Sequence, residues 1–486
     1  MMKKIFHIIF LGICLSIFLL INADCSIVRL HSLGNTRLAI LDEDNNLNLY
    51  DYGNNPAFLV YDEPDEWLKF YSNGGYYHSS LRRKYDPEME QNLSFAFEGL
   101  KRLGQQQAIW GRVDYQFDRK FHVFRALEEN PYNDPLLLAD TTTGNFYNDG
   151  PAIQFRYHYQ PFRKIGFGAE VNYVISSGIK KQYTRPRTIH RNFELKLAFA
   201  WHLHPNLILG GFVNGTFMQN QIELKRSWDG KDIYTLRYRS ETVYRLGIGD
   251  YDRYINEDGV KLNLALQYFG LNKKLQNLIQ FNYLAGNQKI ADERGLLREA
   301  DSPWFKNGFH IQYNNRVLSG RWVFGTELSF EQVEEWNEHP LLPILITENS
   351  LKVIKGGMGL SHQFSRILFV AEGRFRRSWL DYDDYQANIH QKRKTNTYEM
   401  KIGLEYQLNN LYSLQFGLES SYFRAPLVFY RILPDHSIQG ISLGVIKSNS
   451  NYEIEANFGY VIKNATYTSA KYDGWNFLIF TRIFVD

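Results

Sequence analysis

The sequence predicts an all-β protein: a single transmembrane antiparallel β-barrel of about 18 strands, with short periplasmic turns and long extracellular loops. Three observations predict this fold. Apolar and polar side chains alternate along many segments, the connections between segments are alternately short and long, and aromatic residues recur where the apolar faces end. A period of two is typical of β-strands with one apolar and one polar face. The alternation of connection lengths is typical of outer-membrane barrels.

The first residues predict export from the cytoplasm. Two lysines precede an apolar run from Ile5 to Ile21, and the small residue Ala23 follows, which is the pattern of a secretory signal peptide. An uncleaved anchor helix remains the alternative. Asp24 in front of Cys25 argues against lipid attachment at the cysteine. We therefore expect three segments: a signal peptide over residues 1–23, a periplasmic or plug segment over residues 24–67, and the barrel over residues 68–486.

The strands are recognised by their alternation. Phe193 and Leu195, for example, alternate with Glu194 and Lys196. The segments run for about 10–13 residues, and a tilted strand needs about 9–11 to cross a bilayer. Eighteen segments begin near Leu68, Leu93, Ile109, Ile153, Ile165, Phe193, Leu207, Val260, Gln276, Gly308, Arg321, Leu351, Ile367, Thr397, Leu411, Ile438, Tyr452 and Trp475. Weak patterning leaves 14 or 16 strands as alternatives, and a hairpin within a long loop, as at residues 233–246, would inflate the count.

Connections and aromatic residues support the same fold. Short connections include residues 161–164 and 203–206, and long ones span residues 118–150 and 220–257. Rings mark the strand ends, with Tyr159, Trp201, Tyr268, Tyr313 and Tyr406 beside short turns and Phe217, Phe330, Tyr422 and Tyr460 at the opposite ends. Two interfacial girdles explain this placement, because amphipathic rings prefer the headgroup level. General enrichment of strands in Tyr and Phe is the alternative.

Composition excludes several other classes of protein. The 486 residues include 55 Lys and Arg against 52 Asp and Glu, a balance too even for an electrostatic nucleic-acid binder. The two cysteines, Cys14 and Cys25, are too few for a disulfide scaffold. After the N-terminus, no apolar run reaches the roughly 20 residues of a membrane-spanning helix, which excludes a helical transporter.

The sequence predicts no catalytic, cofactor or metal site. It contains no Walker loop, dinucleotide fingerprint, zinc-protease helix motif or nucleophile elbow. His202 and His204 share a strand face but have no third ligand nearby, and acidic clusters such as residues 381–384 lack the spacing of a calcium loop. We therefore expect neither an enzyme nor a cofactor.

The polar strand faces predict which residues line the lumen. An Arg or Lys facing lipid at mid-depth would cost about 2–4 kcal/mol, so charged side chains are expected on the inner face. The predicted lumen-lining residues are Arg156, His158, Glu170, Glu194, Lys196, Lys261, Glu399, Lys401, Glu405, Glu419, Glu453 and Glu455. Their mixed signs argue against a strongly ion-selective ring and allow salt bridges within the lumen.

Two segments resemble parts of known outer-membrane barrels. Residues 475–484 resemble the last strand that the barrel-insertion machinery recognises, although two residues follow the final aromatic. Residues 51–58, with a turn at Asn54, Asn55 and Pro56, resemble the Asn-Pro-Ala segment of fatty-acid-transporter-type barrels, in which it ends a short N-terminal plug. The mature chain as a whole is similar to uncharacterised outer-membrane barrels of Bacteroidota.

These observations predict a bacterial outer-membrane protein that acts as a channel or transporter for small solutes. A barrel of about 18 strands is wide enough to leave an aqueous lumen. A surface scaffold that binds a protein partner through its long loops is the alternative, and an outer-membrane enzyme is a distant third. The expected partners are outer-membrane lipid, the barrel-insertion machinery, and small solutes or a surface protein, with no nucleic acid.

Overall fold

Over the residues that it describes, the computed structural model contains a sheet of 21 strands and one short 3-10 turn. It describes residues 55–59, 66–127, 136–182, 184–225, 234–239, 242–270, 274–294, 297–300, 303–339, 344–425, 435–449 and 451–485. In chain order the strands are β1 (Glu66–Ser79), β2 (Met89–Arg102), β3 (Gln107–Ala126), β4 (Leu136–Phe162), β5 (Ile165–Lys180), β6 (Arg187–His204), β7 (Leu207–Leu224), β8 (Tyr234–Arg239), β9 (Thr242–Ile248), β10 (Tyr251–Gly270), β11 (Leu275–Arg294), β12 (Leu297–Ala300), β13 (Trp304–Ser319), β14 (Trp322–Glu338), β15 (Leu345–Phe364), β16 (Ile367–Asp384), β17 (Ile389–Gln407), β18 (Tyr412–Arg424), β19 (His436–Ser448), β20 (Tyr452–Ala465) and β21 (Lys471–Val485).

The sheet closes into an antiparallel barrel. Strand β1 pairs with β2 along one edge and with β21 along the other. Leaving aside the short strands β8, β9 and β12, the other eighteen pair in sequence order around the ring. The predicted count of 18 is confirmed, and the alternatives of 14 and 16 are wrong. The hairpin expected at residues 233–246 is formed by β8 and β9 and lies outside the ring.

The strands are longer than the sequence predicts. They run from 13 residues in β18 to 27 in β4, whereas we expected about 10–13 from the length that a bilayer requires. Much of the predicted long connection over residues 118–150 is strand, with Asp118 paired to Asn148. The register shifts between Lys120 and Val123 and again between Phe124 and Ala126, so the alternation is interrupted although the backbone groups still pair between strands.

Side chains alternate between the two faces of the barrel wall. On β10, Leu262, Leu264 and Leu266 point outward and are 43 %, 51 % and 40 % exposed. Asn263 and Ala265, which alternate with them, point inward and are 7 % and 2 % exposed. The apolar residues that create the period of two therefore form the outer surface, and the polar residues form the inner wall.

The two ends of the barrel differ in their connections. At one end, here called the short-turn end, two to four residues join successive strands, as at residues 163–164, 205–206 and 365–366. At the other, the long-loop end, connections reach 26 residues between β7 and β10. The chain enters β1 from the short-turn end. Among the described residues, no helix is long and apolar enough to cross a membrane.

A small sheet extends the barrel at the long-loop end. The first residues of β4 leave the ring and pair with β8. Lys180, at the end of β5, donates to both carboxylate oxygens of Asp140 at 2.8 Å. Both side chains are fully buried, and Thr184 Oγ1 donates to Asp140 Oδ2 at 2.6 Å. Since charge and hydrogen-bonding groups are both matched, this pair fixes the extension to the barrel.

Candidate functional site

The inner wall carries a charge network across β4, β5 and β6. The register places Arg156 opposite Glu170, and Glu170 opposite Lys196. Arg156 Nε donates to Glu170 Oε2 at 2.7 Å, and Lys196 Nζ donates to Glu170 Oε1 at 3.2 Å. Gln154 Nε2 also donates to Oε1, at 3.2 Å. Two cations and an amide thus compensate one buried carboxylate, which is the arrangement that a buried charge requires.

A second polar stretch follows the inner wall at β16, β17 and β18. Lys401 lies between Glu372 and Glu419 in the register. Nearer the short-turn end, Gln415 Nε2 donates to Glu405 Oε2 at 3.0 Å. Opposite charges on neighbouring strands stabilise a sheet, so Lys401 is compensated, and carboxylates outnumber cations among these residues.

All twelve side chains predicted to line the lumen lie on the inner face, but the structure brings only some of them together. They are Arg156 and His158 on β4, Glu170 on β5, Glu194 and Lys196 on β6, Lys261 on β10, Glu399, Lys401 and Glu405 on β17, Glu419 on β18, and Glu453 and Glu455 on β20. Arg156, Glu170 and Lys196 are in contact. Lys261 lies near Lys196, because the ammonium groups of the two lysines are 5.9 and 5.1 Å from the centroid of the same Phe212 ring.

An N-terminal turn, residues 55–59, lies inside the barrel at the short-turn end. Asn55 caps the 3-10 turn that follows it, because its Oδ1 accepts a hydrogen bond from the Ala57 N–H at 2.9 Å. Asn55 Nδ2 donates to the backbone carbonyls of Phe199 and Gly211, at 3.0 and 3.4 Å. One side chain therefore both fixes the turn and anchors it to β6 and β7.

The wall beneath the N-terminal turn consists of small residues. A Cβ atom added to Gly168 would lie 2.4 Å from the Ala57 nitrogen, so a larger residue could not let the two backbones approach this closely. Ala198 and Ala200 are buried against Phe58 in one apolar cluster. The glycine and the alanines leave room for the turn, which a wall of larger side chains would exclude.

Two adjacent side chains tie the N-terminal turn to two arcs of the barrel. Phe58, 1 % exposed, packs in a cluster with residues of β6, β7, β10 and β11. Leu59, fully buried, packs in a separate cluster with residues of β1, β2 and β3. Of the predicted plug turn, Asn55 and Pro56 belong to this segment, and Asn54 lies outside the described residues.

At the opposite end, the connection between β1 and β2 folds over the barrel mouth. This mouth loop, residues 80–88, is fixed at its base by the Leu81 N–H, which donates to the Lys471 carbonyl at 3.0 Å. Tyr85 is 3 % exposed, and its ring stacks on Phe124 at a centroid distance of 6.4 Å. The mouth loop is therefore packed against the barrel and does not extend freely away from it.

The mouth loop borders two cavities of opposite charge. The first, of ≈ 770 Å³, lies against β2 to β7, β10 and β11 and is lined by five carboxylates and two Arg or Lys side chains. The second, of ≈ 650 Å³, lies against β15 to β21 and is lined by five Arg or Lys side chains and three carboxylates. Arg83, Asp86 and Glu90 border both. We call the first cavity the acidic chamber and the second the basic chamber.

Sequence reasoning missed both the mouth loop and the basic chamber. Arg376 on β16 and Arg393 on β17 point into this chamber from the strand extensions near the long-loop end. In these extensions both strand faces are polar, so no contrast between apolar and polar positions indicates which side chains point inward. Residue spacing alone gave no signal that could have found them.

The histidine pair considered as a metal site does not form one. His204 Nδ1 accepts a hydrogen bond from the Asn206 N–H at 3.3 Å, and the strand register shifts between His202 and His204. Among the residues that the structure describes, no group of three or more His, Cys, Asp or Glu side chains could hold a metal ion.

Comparison with known protein families identifies the family of this chain. A model described as "Family of unknown function (DUF6850)" matches residues 56–478. The chain belongs to this family. The match begins in the N-terminal turn, covers β1 to β20 and ends within β21. No curated protein matches the sequence.

Solved structures similar to this chain include outer-membrane transporters. The ferric yersiniabactin uptake receptor FyuA from Yersinia pestis is 9% identical, with 87% of this chain and 81% of that chain covered, at a TM-score of 0.45. The copper transporter OprC is 8% identical, with coverage of 86% and 80% and a TM-score of 0.44. The toluene transporter TodX from Pseudomonas putida is 10% identical, with coverage of 95% and 100% and a TM-score of 0.34. At these identities the likeness concerns the barrel alone.

Proposed function

We propose that the protein spans a bacterial outer membrane and passes small solutes through its lumen. The apolar outer face supports this placement, since Met358 and Leu443 are 72 % and 52 % exposed and would contact lipid chains. The inner face carries the charged side chains, for which an outward position at mid-depth would cost about 2–4 kcal/mol for Arg or Lys. Residues 1–23, which lie outside the described residues, would direct export.

In this proposal the short-turn end faces the periplasm and the long-loop end faces the exterior. Outer-membrane lipid would surround the apolar wall, and the insertion machinery would recognise β21. The Bacteroidota-type resemblance stays a prediction. The observation that carries the proposed function is the N-terminal turn, which lies buried inside a polar lumen with Asn55 bonded to two wall carbonyls. We infer that residues 24–65, which precede β1, form a plug at the periplasmic end and that the N-terminal turn is the part of it that obstructs the lumen.

Location is tested by fractionation of the cell envelope. The protein should remain in the outer-membrane fraction, require detergent for extraction, and migrate differently on gels before and after heating. Recovery from the soluble periplasm without detergent would contradict the proposed location.

Solute passage and the plug are tested in planar bilayers with two deletions. Deleting residues 26–62 removes the N-terminal turn and should raise single-channel conductance while the heat-modifiable mobility persists. Deleting residues 26–50 retains the turn and is the matched control, for which we expect conductance close to that of the intact protein. If the deletion of residues 26–62 leaves conductance unchanged, the hypothesis of a plug is wrong. If neither the intact protein nor this deletion carries current, the hypothesis of a channel is wrong.

A surface scaffold is the second candidate function, favoured by the extension at the long-loop end. In the β8–β9 hairpin, Leu246 and Ile248 are 64 % and 61 % exposed, and apolar side chains that project from a loop can serve as a contact surface. Removing residues 234–248 should abolish cross-linking to a partner on intact cells and leave conductance unchanged. Unaltered cross-linking would contradict the scaffold.

A further inference from the structure

The basic chamber has a different charge arrangement from the rest of the described lumen. The mouth loop balances its own charges, since Arg82 Nη2 lies 2.6 Å from Glu88 Oε1 and Arg83 Nε lies 3.0 Å from Asp86 Oδ2. The cations of the barrel wall are arranged otherwise. They lie on β16, β17 and β20.

Arg376 is the wall cation whose surroundings are most informative. It is exposed to the chamber and forms no ion pair with any residue that the structure describes. The register places it directly opposite Lys355 on β15, a second inward-facing cation that likewise has no ion pair among the described residues. Like charges directly opposite each other destabilise a sheet. Arg376 lines the chamber and Lys355 lies beside it on the inner face, so an anion bound between them would relieve this repulsion.

The other two wall cations each contact a neutral side chain. Arg393 Nη2 donates to Gln391 Oε1 at 2.7 Å. The Lys463 ammonium lies 4.3 Å from the centroid of the Tyr472 ring, in a cation–π contact. Both groups face the chamber, and Lys463 also interacts electrostatically with Asp86 of the mouth loop and with Glu419 on β18.

Hydroxyl groups stand between these cations. Ser378 and Thr395 face each other across β16 and β17 and share a hydrogen bond. Thr397 lies directly opposite Arg376 in the same pair of strands. A guanidinium group presents paired donors that match the oxygens of carboxylate, sulfate or phosphate, and neighbouring hydroxyls can donate to the remaining oxygens.

We propose that the basic chamber binds a small solute that carries an oxyanion group, a carboxylate, sulfate or phosphate. This inference rests on the proposed function, in which the chamber is the outer part of the solute pathway. Arg376 and Lys355 hold the anion, and the hydroxyls of Ser378, Thr395 and Thr397 orient it. The acidic chamber on the other side of the mouth loop has the opposite charge and would repel the same solute.

Binding is measured on the full-length protein in detergent, by calorimetric titration with inorganic phosphate and with citrate. The double variant Arg376→Gln with Lys355→Gln should weaken binding at least about tenfold, because two charge-assisted contacts are removed. Lys392→Gln is the matched control. Lys392 lies on the same strand as Arg393, and its side chain is 85% exposed, so affinity should be unchanged.

The titration separates a failure of the proposed anion site from a failure of the proposed function. Binding that is lost in the double variant and kept in the control supports the site, even if no current is seen in bilayers. Failure of the intact protein to bind either anion, or equal affinity in the double variant and the control, overturns the site. Conductance measured separately then decides whether the lumen passes solutes.

Discussion

Replacing Gly168 by alanine should release the N-terminal turn from the lumen wall. The added Cβ atom would lie 2.4 Å from the Ala57 nitrogen and 2.5 Å from the Pro56 carbonyl carbon, both backbone atoms that cannot rotate away. The turn must therefore move or the strand must shift. Gly259→Ala is the matched control, because it also faces the lumen and its nearest heavy atom, the Ala285 oxygen, would lie 3.7 Å from the added Cβ, an ordinary contact.

The magnitude follows from what holds the turn in place. Burial of the Phe58 and Leu59 side chains contributes about 1.5–3 kcal/mol each, and the hydrogen bonds of Asn55 add roughly 1 kcal/mol each. Ordering the backbone of five residues opposes this by about 1–2 kcal/mol per residue. The two sums nearly cancel, so an overpacking cost of about 1–3 kcal/mol should lower the ratio of seated to released turn roughly 5- to 150-fold.

Hydrogen exchange detected by mass spectrometry reads this population directly. The peptide that contains residues 55–59 should lose its remaining protection in Gly168→Ala and exchange at close to the rate of an unstructured peptide, and single-channel conductance should rise. In Gly259→Ala both quantities should equal those of the intact protein. If Gly168→Ala exchanges at the rate of the intact protein, the close approach of Ala57 does not determine the position of the turn, and the reasoning is refuted.

Two further perturbations test the barrel wall and its extension. On β19, Leu443→Arg places a cation against lipid at a cost of about 2–4 kcal/mol and should impair assembly. The control Ser442→Arg places the same cation on the inner face and should assemble normally. Assembly is measured by heat-modifiable mobility, and equal damage in both variants would contradict the assignment of the two faces. Lys180→Met leaves Asp140 buried without its cation and should lower the free energy of unfolding by about 3–5 kcal/mol. Adding Asp140→Asn should restore most of that loss in a thermal melt, and a single variant as stable as the intact protein would contradict the role of the pair.

The barrel strands could be predicted because a bilayer imposes its pattern locally. Each strand must show apolar side chains to lipid at every second position, and this period can be recognised from neighbouring residues alone. All eighteen predicted starts fall inside a barrel strand or, at Arg321 and Leu411, one residue before it. Beyond the apolar band this constraint ends, so the true strand lengths were not predictable from the pattern.

The contacts inside the lumen could not be predicted in the same way. Asn55 bonds to the carbonyls of Phe199 and Gly211, which are 144 and 156 positions away in the chain. The sequence indicated that Arg156 and Glu170 face inward, but which inward residues meet depends on strand register. Register is set by the turns and by the packing of the whole sheet, and a single sequence does not show these long-range pairings.

The basic chamber and the N-terminal turn lie at opposite ends of the barrel and share no residue. The basic chamber would select a solute by charge at the mouth, through Arg376 and Lys355, whereas the N-terminal turn would control its exit at the periplasmic end. Transport requires binding that is weak enough for release. Deeper in the lumen Lys401 lies between Glu372 and Glu419 in the register, so an anion that leaves the chamber meets a cation that carboxylates already compensate and is not bound again. In this arrangement the mouth would determine which solutes enter, and the nearly balanced free energy of the turn would determine how often they leave.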